Sequence, residues 1–127
     1  MRYLKAEEIL QIHSMVVSET GGSHGVRDRD ALQSLENLPR QKFGGQPLYK
    51  SLFAKAAVYA RGIIMNHPFI DGNKRTGVTA ASIFLRDNGY TVIADKGQIR
   101  ELAQKIIKQR LEIDEIAKWF KEHSRKS

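Results

Sequence analysis

Residues 49–87, YKSLFAKAAVYARGIIMNHPFIDGNKRTGVTAASIFLRD, hold two helical patterns separated by a polar turn. In the first, Leu52, Phe53, Ala56, Ala57, Ala60, Ile63 and Ile64 recur at three- and four-residue intervals and make one broad apolar face. Its alanines let a neighbouring helix approach closely, so Tyr49 to Asn66 is the expected central helix. In the second pattern Val78, Ala81, Ile83, Phe84 and Leu85 continue to about Asp87, and Asn88-Gly89 ends the helix. The stretch from His67 to Gly77 joins the two.

Working outward, the same period recurs on both sides. Ala6, Ile9, Leu10, His13, Val16 and Val17 share a helix face that stops at Gly21-Gly22. Asp28 or Asp30 can cap a short helix carrying Ala31, Leu32, Leu35 and Leu38, which Pro39 stops. Residues 39–48, with Pro39, Gly44, Gly45 and Pro47, read as irregular or as a small hairpin. Tyr90 to Ala94 is a brief strand or extended link. Ile99, Leu102, Ala103, Ile106 and Ile107 define a further helix, and Asp114 is the expected cap of the last, with Ile116, Ala117, Trp119 and Phe120. The polar tail HSRKS is expected to fray. The expected fold is all-α, about six helices in a single domain over residues 1–127, with a short β-hairpin flap.

Composition narrows the function. At 41% hydrophobic and 28% charged, the chain is too apolar for intrinsic disorder. It has no cysteine, which excludes disulfides, a thiolate nucleophile and a Cys-based zinc site. The net charge of +7 favours an acidic partner. The excess is spread evenly: residues 1–66 carry nine basic and six acidic side chains, and residues 67–127 carry twelve and eight. No polybasic arm is present. No apolar run reaches membrane-span length, and Glu7 and Glu8 break the N-terminal apolar stretch a signal peptide would need. A cytoplasmic protein without a membrane partner is the expectation. His13 reads as a partly buried structural histidine, and His24 and His123 as solvated. Their scatter argues against a zinc site.

The joining stretch concentrates chemistry. Gly72 permits a turn with positive φ. Residues 72–75 then open a helix whose unpaired N–H groups suit an anion. Lys74 and Arg75 add positive charge there. Asp71 can hold a divalent cation of a nucleotide–metal complex. His67 has an ordinary pKa near neutrality, fitting for a general base. The reading is transfer of a phosphorus-containing group to a hydroxyl. The same residues also admit a structural account: Asp71 as a helix cap, Gly72 as a turn former, and Lys74 and Arg75 as a solvated first turn. Two cations at a helix N-terminus oppose the macrodipole, which weighs against it.

HPFIDGNKR resembles the Fic/Doc signature H-x-F-x-D/E-G-N-x-R at every position. GGSHGVRD with the Leu-rich helix after it, the alanine-rich helix before His67, and FLRDNGY all look like the death-on-curing (Doc) branch. The resemblance implies that His67 takes the proton from a target Ser, Thr or Tyr hydroxyl and that Phe69 anchors the loop in the core. Asp71 would coordinate Mg²⁺. Gly72 and Asn73 would form part of the anion hole, Asn73 through its side chain. Arg75, beside Lys74, would contact the phosphates of ATP as co-substrate. Lys42, Phe43, Gly44 and Gly45 would be a flap pairing with an extended target peptide.

Two departures bear on the reaction. AMP-transferring members have Gly at the position of Lys74 and a second Arg at that of Val78. Lys fills space that Gly leaves for phosphates, and Val78 removes a bidentate clamp. Doc proteins carry the same Lys and transfer the γ-phosphate, so the resemblance implies a protein kinase, with AMP transfer as the alternative. No S/T-x-x-x-E-G/N inhibitory motif occurs. The implied biology is a toxin neutralised in trans by a small antitoxin whose segment folds on binding, with elongation factor Tu as protein substrate and no nucleic acid required. A basic RNA- or ribosome-binding module, or a catalytically dead interaction domain, would explain the charge or the fold, and the first leaves His67 and Asp71 unexplained.

Overall fold

The periodic segments become helices, most of them opened by a polar cap residue. The computed structural model describes residues 1–127. The first helix, α1 (Ala6–Thr20), ends at Gly21, whose φ of 77° turns the chain and lets its N–H reach the Val17 carbonyl. In α2 (Arg29–Ser34) Asp28 is the cap, its side chain accepting from the Ala31 N–H. A single 3-10 turn, Leu38–Arg40, follows. Strands β1 (Lys42–Phe43) and β2 (Gln46–Pro47) pair antiparallel, and Gly44 and Gly45 supply the two positive φ angles of the tight turn between them. Ser51 caps α3 (Leu52–Asn66), and Gly72 opens α4 (Asn73–Asp87). Then come β3 (Tyr90–Val92), α5 (Lys96–Lys108), α6 (Ile113–Glu122) and β4 (Ser124–Lys126).

The expected all-α architecture of six helices with a small hairpin is what forms. Helix α3 is its hub and packs against α4, α5, α6 and the 3-10 turn. Ala56, Ala57 and Ala60 have no exposed surface. A Cβ at Gly77 would fall 2.7 Å from Ile64 Cγ1 and 2.9 Å from the Ala60 carbonyl, so α4 lies on α3 as closely as backbones allow. One apolar cluster of 24 buried residues draws on all six helices. Phe84 and Phe120 are fully enclosed in it, and truncating either to Ala would cost about 3–5 kcal/mol. Tyr59, also without exposed surface, accepts from the Leu4 N–H at 2.9 Å, and burial pushes its phenol up to about 12. Lys55, nearly buried, donates through Nζ to the Tyr49 carbonyl at 2.6 Å, and desolvation lowers its pKa. No helix is long and apolar enough to cross a membrane.

Several local expectations need correction. Leu10 lies 39% exposed and Ile12 takes its place in the core, because α1 buries the stripe that faces α4 rather than every apolar residue. Helix α2 stops at Ser34, before Pro39, which sits inside the 3-10 turn. The cap of α6 is Glu112, in a reciprocal box with Glu115, and Asp114 lies inside the first turn. The tail does not fray: β4 pairs with β3 from Tyr90–Lys126 to Val92–Ser124. His123 is half-buried, stacked on Trp119 at 4.0 Å with Nδ1 bonded to the Trp119 carbonyl.

Candidate active site

Helix α3 ends at His67, whose φ of 48° is rare for a residue with a side chain. That turn leaves the last carbonyls of α3 without helical partners. Arg27 satisfies two of them: Nε donates to the His67 carbonyl at 2.6 Å and Nη2 to the Asn66 carbonyl at 2.9 Å. The whole Gly-rich segment before α2 runs alongside. Arg27 and Asp28 N–H both reach the Pro68 carbonyl, Ile70 N–H reaches the Gly25 carbonyl, and Val26 bridges Phe69 antiparallel. GGSHGVRD is therefore the cradle of the HPFIDGNKR loop.

The loop is held from below as well. Phe69 is fully buried, and its ring stacks on His13 at 3.8 Å and 5°. His13 is 1% exposed, more deeply placed than its sequence position indicated, and its Nε2 donates to the Asp71 carbonyl at 2.7 Å. Asn73 clasps the loop through both ends of its amide: Oδ1 accepts from Phe69 N–H at 3.1 Å and Nδ2 donates to the Phe69 carbonyl at 2.9 Å. Both hydrogen bonds of the Asn73 side chain thus go to the loop's own backbone.

What remains faces outward. Gly72 has φ 78°, and a Cβ there would lie 3.0 Å from Val17 Cγ1, so glycine serves both the turn and the approach of α1. The N–H groups of Asn73, Lys74 and Arg75 have no acceptor within the protein. Three orphan donors thus stand at the positive end of α4, an arrangement chemically suited to an anion. The His67 imidazole is exposed and makes no hydrogen bond, its bonds being those of its backbone. Asp71 is exposed too; Oδ1 accepts from Gly72 N–H at 2.9 Å and Oδ2 from Ser23 N–H at 3.0 Å, so it orders the turn rather than capping α4.

Each Asp71 oxygen keeps a lone pair for a cation. No three metal-ligating side chains gather anywhere in the chain. A lone exposed carboxylate fits Mg²⁺, which binds through one or two carboxylates with substrate phosphates and water supplying the rest. Lys74 and Arg75 are exposed on the first turn of α4. The hairpin bearing Lys42, Phe43, Gly44 and Gly45 is a separate feature: no hydrogen bond joins it to the loop, and Phe43 is 82% exposed at its tip.

Arg27 is the neighbour of the loop that sequence reading misses; His13, read there as a partly buried structural histidine, is buried, and only its partner, the Asp71 carbonyl, was unforeseen. For His13 there was a signal: a histidine amid an apolar helix face must find a polar partner once buried. For Arg27 the only mark was an arginine closing a glycine-rich loop.

The family model described as Fic/DOC family matches residues 3–85. The chain is 32% identical over 117 residues to Toxin Doc of Mycolicibacterium smegmatis, covering 91% of this chain and 88% of that protein. It is 29% identical over 102 residues to Protein kinase doc of Escherichia phage P1, covering 80% and 79%. The matched span runs from the approach to α1 through nearly all of α4. It therefore takes in the cradle, the loop and the helix N-terminus that together make the site, and on that ground this chain belongs to the Fic/DOC family.

Proposed function

We propose that this protein is a Doc-like toxin that transfers the γ-phosphate of ATP to a hydroxyl side chain of a protein target. The observation that carries the reading is the juxtaposition on one loop of a free imidazole, an exposed carboxylate and three orphan N–H groups of α4. The names of the two relatives, a toxin and a protein kinase, support it. In this reading His67 takes the proton of the target hydroxyl as its oxygen attacks the γ-phosphorus. The bond from that phosphorus to the bridging oxygen breaks and ADP leaves. The N–H groups of Asn73, Lys74 and Arg75 hold the phosphate oxygens, and the Lys74 and Arg75 side chains offset their charge. Asp71 is the residue that would hold Mg²⁺, which when bound neutralises phosphate charge.

Lys74 and Val78 favour phosphoryl over AMP transfer, for the steric and electrostatic reasons given above. Elongation factor Tu is the proposed target, translation the proposed process and the cytoplasm the proposed place. The β1–β2 hairpin is proposed to pair with the target segment. A small antitoxin that folds on binding is the proposed regulator. Incubation with the target and ATP labelled at the γ position should label the target and add the mass of one phosphate. Label arriving from the α position instead would replace the kinase reading with AMP transfer.

A further inference from the structure

Six of the ten glycines have a positive φ, which calls for glycine by itself. Gly62, Gly77 and Gly97 lie within α3, α4 and α5. Gly22 alone stands in a loop without a positive φ, so its φ does not demand glycine. What excludes a side chain there is the space in front of it. A Cβ at Gly22 would fall 2.8 Å from Asp71 Oδ2 and 3.5 Å from Asp71 Cγ, whereas Val17 Cγ1, also at 3.5 Å, would be in ordinary contact.

The main chain on both sides is fixed. Gly22 N–H donates to the Val17 carbonyl at 3.1 Å, which ties residue 22 to the end of α1. His13 Nε2 donates to the Asp71 carbonyl at 2.7 Å, which ties residue 71 to the middle of the same helix. Between these fixed points the Asp71 side chain can rotate, and two N–H groups choose its position: Gly72 on Oδ1 at 2.9 Å and Ser23 on Oδ2 at 3.0 Å. The Ser23 contact exists because nothing projects from residue 22. A methyl group there would push Oδ2 aside, and the exposed carboxylate could swing into solvent at little cost. Alanine would also restrict the unfolded chain and favour folding, so stability does not account for glycine at this position.

We propose that Gly22 is a positioning residue for Asp71. The Cβ it lacks is the space in which Oδ2 turns toward the Ser23 N–H, and that contact sets the direction in which the remaining lone pairs of the carboxylate point. The placement of the carboxylate stands on this geometry alone. Its consequence for a divalent cation rests on the function proposed above, in which Asp71 holds Mg²⁺. A carboxylate already oriented loses little side-chain freedom when a cation binds. A displaced one must first be recovered from solvent, and groups that orient a metal ligand are commonly worth about 10- to 100-fold in metal affinity.

The test uses the full chain as Gly22→Ala, Asp71→Asn and the two combined. It reads amide hydrogen exchange at Ser23 and calorimetric titration with ATP in the presence and absence of Mg²⁺. Gly22→Ala should unfold at about the wild-type temperature, and its Ser23 N–H should exchange about fivefold or more faster, because its acceptor has moved. It should bind ATP about 10- to 100-fold more weakly than the wild type with Mg²⁺ present, and as well as the wild type without it. The combined variant should be no weaker than Asp71→Asn alone, since both changes act through one carboxylate. Wild-type exchange at Ser23 overturns the proposal, as does an Mg²⁺-dependent loss in Asp71→Asn that Gly22→Ala does not share. Faster exchange at Ser23 with Mg²⁺-dependent binding intact in both single variants upholds the placement and counts against Asp71 as the Mg²⁺ residue alone.

Discussion

Arg27 holds His67 by its backbone, with Nε on the His67 carbonyl at 2.6 Å and Nη2 on the Asn66 carbonyl at 2.9 Å. A planar guanidinium can span two successive carbonyls, and a lysine ammonium cannot do so in the same geometry. Arg27→Ala should lower stability by about 1 kcal/mol and reduce transfer, chiefly in kcat, because the imidazole loses its fixed position. Arg27→Lys should recover the stability in part and the rate less. A variant with wild-type kcat would remove Arg27 from the positioning of the base.

The left-handed backbone at His67 separates its proposed role as the base from its structural contribution. His67→Ala should reduce transfer by about 10²–10⁴-fold with the fold retained. His67→Gly should be equally inactive yet more stable than the alanine variant by about 1 kcal/mol, since glycine adopts a φ of 48° without steric cost. Denaturant melts of the two variants measure this directly; equal stabilities would mean that the turn carries no strain.

Asp71 makes a prediction about charge rather than shape. Asn at this position can still accept from Gly72 N–H or Ser23 N–H, which Asp71 now serves at 2.9 and 3.0 Å. It loses the negative charge that a divalent cation requires. Asp71→Asn should therefore weaken nucleotide binding in the presence of Mg²⁺ more than in its absence. An equal loss under both conditions would assign the carboxylate to ordering the turn alone.

Tyr59 links stability to alkaline pH. Its folded pKa of about 12 stands above the ordinary 10.0, because burial disfavours the phenolate. The folded state thus holds the proton more tightly than the unfolded state does. The contribution is fully present below about pH 10 and is lost as pH climbs through about 12, to a total of roughly 3 kcal/mol. Tyr59→Phe should flatten this alkaline decline, at the cost of leaving the Leu4 N–H without its acceptor. Urea unfolding at about pH 8 and about pH 11 compares the two proteins, and an unchanged decline in the variant would exclude Tyr59 as its source.

The helices, their order and the chemical content of the joining loop were legible in the amino-acid sequence. Those are local properties: a 3.6-residue period, a cap, a glycine, a histidine beside a carboxylate. The anion-accepting N-terminus of α4 was legible for the same reason, since orphan N–H groups follow from helix geometry alone. Which residues touch emerged only on packing. Arg27 meets His67 across 40 residues, and His13 meets Asp71 across 58; no periodicity encodes such pairings. Asn73 turned its amide onto the Phe69 backbone because burial leaves those groups no water to bond. Ser124–Lys126 became a strand because the edge of β3 was open beside it. Each of these choices depends on which surfaces the packed helices leave free, and that is settled only when the core of the whole chain closes.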